Sequence, residues 1–544
     1  MQAALHALLL MTCASAQWSV RPSLDSSRFV ITDTHKREVL FRGVNLCAQQ
    51  WWYKADDRPI SPAAYNGSCP PNHPDTYMEP PICEVDAGKA PYEHSTEANS
   101  GNDLAQIREL GFDLVRLAIS WSLLEETPGD ISEEYLERIE QIVGWGAEQG
   151  LAFIIDMHAD FYSHALNPGA GPAYKDGAPA WAVLNSTIDK FPKYKRTVLD
   201  KVGFDWHTVA AFETFYDDQK PEGDAMGLQE HYIRAFAAVV ERFNDNPAVM
   251  GFEIMNEPAP SELRVLDFST SKLYPFYRRA IQAVTGVRDG METCGAGDAI
   301  RDDCAFPDLG INSKKVMIFE PMAVRNQLDF SIQLSKPFTE YSNIVYAPHT
   351  YTKSFTIFDP IGGYAQSLNT AWREATKMRA GVLVTEFGGP TSDDGFDRLG
   401  NITQQQDEML TGSTFWVWKE RGGGWSLWSG NEGEEGMHQV ETRRKLLSRA
   451  RPRAVVGQLV RLEFDPEEKT MLMEARAEEG ERGAEAGACE IYVPVDVTTD
   501  RIEVDGAVVG EAEVEVRGDG SRIVRVAVAN EGGVYRVALG RGFE

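Results

Sequence analysis

Residues 249–258 read VMGFEIMNEP, and this stretch decides the fold prediction. Its apolar run predicts a short buried strand that ends at Asn256 and Glu257. A second string, GVLVTEFGG at 381–389, places Glu386 at the end of another apolar strand. In a (β/α)8 barrel the functional side chains come from the C-terminal ends of the strands. The two glutamates therefore predict one site at the mouth of a barrel.

Between about residue 30 and 446, short β-branched and aromatic runs alternate with segments of helical period. The other predicted strands are FRGVNL (41–46), LVRLAI (114–119), AFIIDMH (152–158), VMIFEP (316–321), IVYAPHTY (344–351) and TFWVWKE (414–420). The clearest predicted helices are 132–150, which Ser132 would cap and Gly150 would end, 228–245 and 274–287. This alternation predicts an α/β TIM barrel. A doubly wound sheet is the alternative, but no G-x-G-x-x-G follows the first strand.

The chain is predicted to contain three regions. Residues 1–16 resemble a signal peptide with an Ala-x-Ala cleavage site, although they carry no Lys or Arg. Residues 17–446 form the barrel, with insertions at 50–100 and 159–226 that rise over its mouth. Residues 447–544 consist of Val-rich alternations separated by Asp-Gly and Gly-Gly pairs, which predicts a small C-terminal β-sandwich.

The formal net charge of −29 argues against nucleic acid and against anionic membrane surfaces as partners. After the signal peptide no run reaches the roughly 18 apolar residues of a spanning helix, so no transmembrane segment is predicted. We expect a secreted or lumenal protein, an acidic organelle included. Sequons at Asn66, Asn185 and Asn401 are candidate glycosylation sites. The oligomeric state is not indicated.

The cysteine spacing fits an oxidising compartment. Cys69 with Cys83, and Cys294 with Cys304, bracket short loops and are candidates for local disulfides. Cys47 and Cys489 would be free or paired with each other. No Cys or His spacing predicts a metal site, and no cofactor is expected.

Glu257 is the candidate acid/base and Glu386 the candidate nucleophile of a retaining glycosidase. Such a pair lies about 5–5.5 Å apart, and the acid should have its pKa raised by its charged neighbour. The competing interpretation is that each glutamate only ends a strand. Glu320 also closes a strand and is interpreted as a substrate-pocket residue or a structural partner.

Five polar residues that interrupt or end strands are candidate substrate-binding residues. Arg116 interrupts LVRLAI, and its expected partner is the nucleophile or a carboxylate elsewhere in the core. His158 and Asp160 end the third strand. His349 and Tyr351 end the sixth, where the phenol could orient the nucleophile and the imidazole could bind sugar hydroxyls. Each could also be a satisfied core residue.

Trp416 and Trp418 lie in the eighth predicted strand. A tryptophan face stacks on the apolar face of a pyranose. Strand alternation would place both on one side, with Trp416 the preferred sugar platform and core packing the alternative.

The chain resembles glycoside hydrolase family 5, most closely its endoglycoceramidase-like branch. The resemblance is carried by FRGVNL (41–46), DMHAD (156–160), GFEIMNEP (251–258), APHTY (347–351), VTEFGG (384–389), FWVWKE (415–420) and LSRARPRAVVGQL (447–459). It implies Glu257 as acid/base and Glu386 as nucleophile. It places these residues around the sugar: Arg116, His158, Asp160, Asn256, His349, Tyr351 and a strand-8 tryptophan. Ala159 departs from the branch, which usually has Gln there.

The resemblance implies hydrolysis of the bond between glycan and ceramide in glycosphingolipids, presented on membranes or micelles. The aromatic insertions could supply an apolar slot for the lipid, or could only pack onto the barrel. Alternatives are a β-glucosidase of glucosylceramide or steryl glucoside, and an endo-β-glucanase. A rival of another class is a non-catalytic glycolipid-binding protein.

Overall fold

The protein is represented by a computed structural model. It describes residues 18–46, 103–159, 162–166, 177–185, 206–261, 267–295, 297, 300–328, 337–351, 363–389, 392–418, 425–429, 438–479 and 487–543. The predicted signal peptide, Cys47, the Cys69–Cys83 pair and Asp160 lie outside these ranges, as do the whole 50–100 insertion and residues 160–161, 167–176 and 186–205 of the second.

Eight parallel strands form a closed barrel, which confirms the predicted TIM fold. Each strand pairs with the next, and the eighth closes onto the first through Phe415 opposite Val44. The strands are Arg42–Leu46, Leu114–Ser120, Ala152–His158, Val249–Glu253, Val316–Phe319, Ile344–Tyr346, Gly381–Phe387 and Gly412–Phe415. Every residue in them is buried, which explains the near-continuous apolar runs of the sequence.

Four strands end earlier than the sequence predicts, among them the fifth, which ends at Phe319 instead of Pro321. The fourth ends at Glu253 instead of Asn256, and the eighth ends at Phe415. The sixth is interrupted and resumes as a short strand, His349–Thr350, which pairs with the seventh. After the fourth strand, the backbone N–H of Asn256 donates to the Met157 carbonyl of the third strand.

Helices cover the barrel on the outside. The predicted helices are observed at Glu133–Glu148, Leu228–Phe243 and Tyr274–Thr285. The Ser132 side chain accepts the Tyr135 backbone N–H, as its predicted capping role requires. The remaining helices are Asp103–Glu109, Trp121–Leu124, Trp206–Tyr216, Ala323–Leu328, Gly363–Met378, Asp393–Glu408 and Glu441–Leu447, with short 3-10 turns at His164–Leu166 and Ala180–Ala182 and a π turn at Ser269–Leu273.

The C-terminal strands form two sheets around a second apolar core that includes Leu459, Met473 and Val537. One sheet contains Arg451–Val455, Cys489–Val493, Arg522–Val526 and Glu513–Val516, and the other contains Gln458–Asp465, Thr470–Ala477, Gly533–Leu539 and Ile502–Gly506. The 446/447 boundary stays a prediction, and helix Glu441–Leu447 crosses it.

N-terminal strands link this sheet pair to the barrel. They are Ser19–Pro22, Phe29–Thr32 and Glu38–Val39. Phe29 pairs with Gly381 of the seventh barrel strand, while Val39 pairs with Ala454 of the C-terminal sheet. Hydrogen bonding is therefore continuous from the barrel into the first C-terminal sheet.

Cys294 and Cys304 form a disulfide, as predicted, and Cys489 is a free cysteine buried in the C-terminal core. Over the described ranges, none of the helices is both long and apolar enough to cross a membrane.

Candidate active site

Arg116 is fully buried in the second barrel strand, and its guanidinium contacts carboxylate and asparagine side chains from several neighbouring strands. Its Nε donates to Glu253 Oε2 at 2.7 Å, and its Nη1 donates to Glu386 Oε1 at 2.7 Å. Its Nη2 lies 2.9 Å from Asp156 Oδ2. The guanidinium also contacts Asn45 Oδ1 at 3.0 Å, Asn256 Oδ1 at 2.8 Å and Glu320 Oε1 at 3.4 Å.

Burial alone would lower the pKa of Arg116, but the surrounding carboxylates raise it well above its usual value. Asp156, Glu253, Glu386 and Glu320 are the carboxylates responsible. A permanent cation at this position is the expected partner of the candidate nucleophile, and Glu386 is among its closest contacts.

Glu386 is held from two sides. Besides Arg116, the Tyr351 hydroxyl donates to Glu386 Oε2 at 2.6 Å, as the sequence predicted for the phenol. Burial raises the pKa of Glu386, and the positive charges of His349 and Arg116 partly offset this effect. The strand register puts His349 beside Glu386 and so explains how the sixth strand reaches the seventh.

Glu257 follows the fourth strand with a backbone φ of 38°, a left-handed conformation that costs a non-glycine residue about 1–3 kcal/mol. Its side chain is 27% exposed, and its Oε1 lies 2.8 Å from Nδ1 of His349. Burial would raise the pKa of Glu257, but the His349 hydrogen bond and nearby positive charges lower it. The sequence predicted a raised pKa for Glu257 as the acid, and this prediction is wrong for the observed arrangement.

The two candidate catalytic carboxylates face each other. A carboxylate oxygen of Glu257 and one of Glu386 lie within 4.8 Å of one another. Retaining glycosidases have carboxyls about 5–5.5 Å apart, whereas inverting enzymes need about 6.5–9.5 Å for a water. The observed spacing fits the shorter class.

His349 is fully buried between acids. Its Nδ1 lies 2.8 Å from Glu257 and 3.4 Å from Glu386, and its Nε2 lies 3.1 Å from Glu320 Oε1. Both ring nitrogens thus face carboxylates, which differs from the predicted role of the imidazole as a donor to sugar hydroxyls. Burial would lower the pKa of His349, but Glu320 and Glu386 raise it well above its usual value.

The third strand contributes His158, whose Nδ1 lies 2.7 Å from Asp156 Oδ2. The ring of His158 stacks on Trp416 at 5.3 Å and 11°. Trp416 belongs to a small cluster with Tyr351 at the site, so its predicted position is consistent with a sugar platform. Asn256 bridges from Arg116 to the Ala159 carbonyl at 2.9 Å.

Trp418 was predicted as a candidate substrate-binding residue, and the structure corrects this prediction. It is fully buried in the main barrel core and packs edge-to-face on Trp428 at 6.0 Å. The eighth strand ends at Phe415, so alternation does not carry through to residue 418. Trp416 and Trp418 therefore lie in different clusters, and Trp418 is a core residue.

Asp156 and Glu253 were not singled out from the sequence, although both are fully buried against Arg116. Each interrupts an apolar strand, which is the same signal that identified Arg116. Because a buried charge requires a partner, the three interruptions together could have predicted the cluster.

Two sets of side chains bring possible metal-ligating atoms within 4.8 Å of one another: Glu253, Glu320 and His349, and Glu257, His349 and Glu386. Arg116 lies 2.7 Å from both Glu253 and Glu386. Its permanent positive charge would repel a divalent cation, so the chemistry of this donor set fits acid–base work better than metal binding.

The described part of the second insertion packs onto the barrel. Phe212, Phe215 and Tyr216 are buried, and Phe215 meets Trp121 and Tyr232 edge-to-face. For these three aromatics, packing is the interpretation that the structure supports rather than an open apolar slot.

A TIM barrel with paired glutamates at its mouth is the arrangement that retaining glycoside hydrolases use. Residues 84–434 match the cellulase family, glycosyl hydrolase family 5, and the chain belongs to this family. Endoglycoceramidase I of Rhodococcus hoagii is 26% identical over 472 residues, covering 83% of this chain and 82% of that protein.

Two solved structures are similar over almost the whole chain. Endogalactoceramidase has a TM-score of 0.66 at 21% identity, covering 96% of this chain and 100% of that one. Endo-glycoceramidase II from Rhodococcus sp., solved as its lactosyl-enzyme intermediate, has a TM-score of 0.64 at 25% identity, covering 94% and 99%.

Proposed function

We propose that the protein is a retaining β-glycosidase that hydrolyses the bond between glycan and ceramide in glycosphingolipids. One observation carries the mechanism: the carboxylates of Glu257 and Glu386 lie within 4.8 Å of one another at the barrel mouth. That spacing leaves a nucleophile in reach of the anomeric carbon and an acid in reach of the leaving oxygen.

In the first step Glu386 attacks the anomeric carbon while Glu257 gives a proton to the glycosidic oxygen, and ceramide leaves as an alcohol. The glycan remains bound to Glu386 as an ester. In the second step the Glu257 carboxylate takes a proton from water, whose oxygen displaces Glu386 from the sugar. Arg116 and Tyr351 support this role of Glu386, because both donate hydrogen bonds to its charged form.

The substrate class is supported by the relatives. The Rhodococcus hoagii protein named endoglycoceramidase I aligns over more than four fifths of both chains. A related enzyme was captured as a lactosyl-enzyme intermediate, which is the covalent species that the proposed mechanism requires.

The test is an analysis of products. The protein is incubated with lactosylceramide and with glucosylceramide in detergent, and the released sugars are identified. Intact lactose with ceramide supports the proposal. Glucose from glucosylceramide alone would make the protein a glucosidase, whereas cleavage of a soluble cellulose derivative without either would make it a glucanase.

Glu386→Gln is the matched control, since it keeps the side-chain shape and removes the nucleophile. We expect hydrolysis to fall by at least about 10³-fold. Proton NMR of the first product should show the β anomer, because double displacement retains configuration. Survival of near-parent activity in Glu386→Gln, or an initial α anomer, would contradict the mechanism.

A further inference from the structure

Glu320 is one of three buried carboxylates around Arg116, with Asp156 and Glu253, that the proposed mechanism does not use. It follows the fifth barrel strand and is fully buried. Its Oε1 lies 3.1 Å from Nε2 of His349 and 3.4 Å from Nη2 of Arg116. Its Oε2 has no hydrogen-bond partner among the described residues. The Tyr277 hydroxyl donates to the Glu320 backbone carbonyl at 3.1 Å and so fixes the position of the residue.

Glu320 and Glu257 lie on opposite sides of one imidazole. His349 meets Glu257 through Nδ1 at 2.8 Å and Glu320 through Nε2. A histidine has one donor when neutral and two when protonated. Both contacts can therefore be hydrogen bonds only when His349 is an imidazolium that donates to each carboxylate, or when one protonated carboxyl donates to the neutral ring.

We propose that Glu320 is a positioning residue that acts through His349 on Glu257, so that the acid/base proton is shared along the line Glu257–His349–Glu320. This inference rests on the proposed function of Glu257. It gives Glu320 a role in the reaction although its side chain is fully buried.

Before the reaction the proton lies on Nδ1 of His349, facing a Glu257 carboxylate. The Nδ1 proton moves to Glu257, where an O–H bond forms as the Nδ1–H bond breaks. Glu257 then gives this proton to the glycosidic oxygen, and its O–H bond breaks. The imidazole is left neutral, with its Nε2–H facing Glu320 Oε1 at 3.1 Å. In the second step the water proton returns through Glu257 to Nδ1.

The charges around the line agree with this arrangement. Among the carboxylates around His349, Glu320 raises the pKa of His349 most, and the His349 hydrogen bond lowers the pKa of Glu257. Burial raises the pKa of Glu320 itself well above its usual value, which favours sharing of the proton. The other charged or titratable groups that face the line are Arg116, Glu386, Glu253, Asp156, His158 and Tyr351.

Glu320→Gln tests the inference, because it keeps the shape and removes the charge. Without the Glu320 carboxylate, the Glu257–His349 pair loses its proton at lower pH, so the alkaline limb of the kcat/KM profile should move down by about one pH unit. When a smaller fraction of His349 is protonated, the Glu386 carboxylate is stabilised less and its pKa rises. The acidic limb should therefore move to higher pH. A merely structural role would lower the activity and leave both limbs in place.

A leaving-group comparison separates acid assistance from general damage. Dinitrophenyl β-lactoside needs little protonation of its leaving oxygen, whereas lactosylceramide needs a full proton. Glu320→Gln should lower kcat on lactosylceramide by about tenfold and change that on the aryl lactoside by less than about threefold. Equal losses on both substrates would overturn the inference.

Glu374→Gln is the matched control for burial and chemistry. Glu374 is 6% exposed and contacts the Tyr346 hydroxyl at 2.7 Å and Arg325 at 3.3 Å, outside the barrel mouth. It should not move either pH limb. Glu320→Asp, which restores the charge, should recover the alkaline limb and serves if Glu320→Gln does not fold.

Nitrogen-15 NMR of the imidazoles gives a readout that is independent of hydrolysis, with His349 assigned from its absence in His349→Asn. In the parent protein both nitrogens should stay protonated at least one unit above the ordinary histidine pKa of about 6.5. Titration of His349 at or below the ordinary value would overturn the inference. If no glycolipid is cleaved, the proposed function fails, while this titration still decides the contact with Glu320.

Discussion

At the scale of single residues, the hydrogen bond between Tyr351 and Glu386 is the simplest device in the site to test. The buried phenol donates to Glu386 Oε2 at 2.6 Å and so stabilises the ionised nucleophile. Tyr351→Phe should lower kcat by about 10- to 100-fold, the usual range for one hydrogen bond to a charged group.

The same substitution should also move the acidic limb of the pH profile. Loss of the donor destabilises the carboxylate, which raises the pKa of Glu386, and the reaction needs Glu386 ionised. The acidic limb should therefore shift to higher pH. Tyr346→Phe is the control, since Tyr346 donates to Glu374 at 2.7 Å away from the mouth. An unmoved acidic limb in Tyr351→Phe would mean that the phenol does not tune Glu386.

How far single residues could be predicted depends on whether their partner was visible in the sequence. Arg116 in an apolar strand required a carboxylate, and the contact with Glu386 was predicted on that ground. The partition of its other donors among Asp156 and Glu253 depends on side-chain directions in the closed barrel, which strand patterns do not give. The environment of His349, with a carboxylate at each nitrogen, depends on the same geometry.

At the scale of secondary-structure elements, close strand packing makes a sharp contrast between two glycines. A Cβ on Gly251 would lie 2.2 Å from the Val316 carbonyl oxygen, because the fourth and fifth strands approach closely there. A Cβ on Gly144, in the helix Glu133–Glu148, would meet nothing within 4 Å.

Gly251→Ala should therefore destabilise the barrel by more than about 2 kcal/mol, since backbone must move to make room. Gly144→Ala should instead stabilise it by about 0.5–1 kcal/mol, because alanine is the better helix former. Denaturant titrations of both variants measure the difference. Similar midpoints for the two would show that the close approach is not a constraint on the fold.

The elements were predictable to within a few residues because their apolar runs are long and their breaks are clear. The helix over 228–245 is observed at Leu228–Phe243, and the third strand coincides with its prediction. The fourth and eighth strands were predicted too long, since the residues past Glu253 and Phe415 leave the regular ladder and keep only single backbone hydrogen bonds to neighbouring strands. Periodicity cannot distinguish such residues from strand.

At the scale of the whole molecule, the C-terminal sheets are joined to the barrel by buried charge as well as by strand pairing. Arg451 is 2% exposed and lies 2.8 Å from Asp113 Oδ2, which precedes the second barrel strand. Arg451 also donates to the backbone carbonyls of Leu40 and Gly111 at 2.9 and 2.8 Å. Separating the two units would expose unpaired charges on both, so we expect one cooperative unit.

Two natural probes can follow the two units separately. All 12 tryptophans precede residue 447, so tryptophan fluorescence reports on the part of the chain before the C-terminal sheets. Cys489 is fully buried in the C-terminal core, and burial raises the pKa of its thiol to about 12, so it should be unreactive until that core opens. Mass mapping of the alkylated peptide distinguishes Cys489 from the other cysteines.

We therefore predict that, in guanidinium titrations, the loss of tryptophan signal and the pulse alkylation of Cys489 share one midpoint. Arg451→Met should lower both midpoints together. It should reduce the free energy of unfolding by about 3–5 kcal/mol, because it leaves Asp113 buried without its closest cation. Arg525→Met is the control: Arg525 is 37% exposed and pairs with Glu515 at the sheet edge, so its loss should change stability by less than about 1 kcal/mol. Alkylation of Cys489 at denaturant concentrations where the tryptophan signal is still native would mean that the C-terminal sheets unfold on their own.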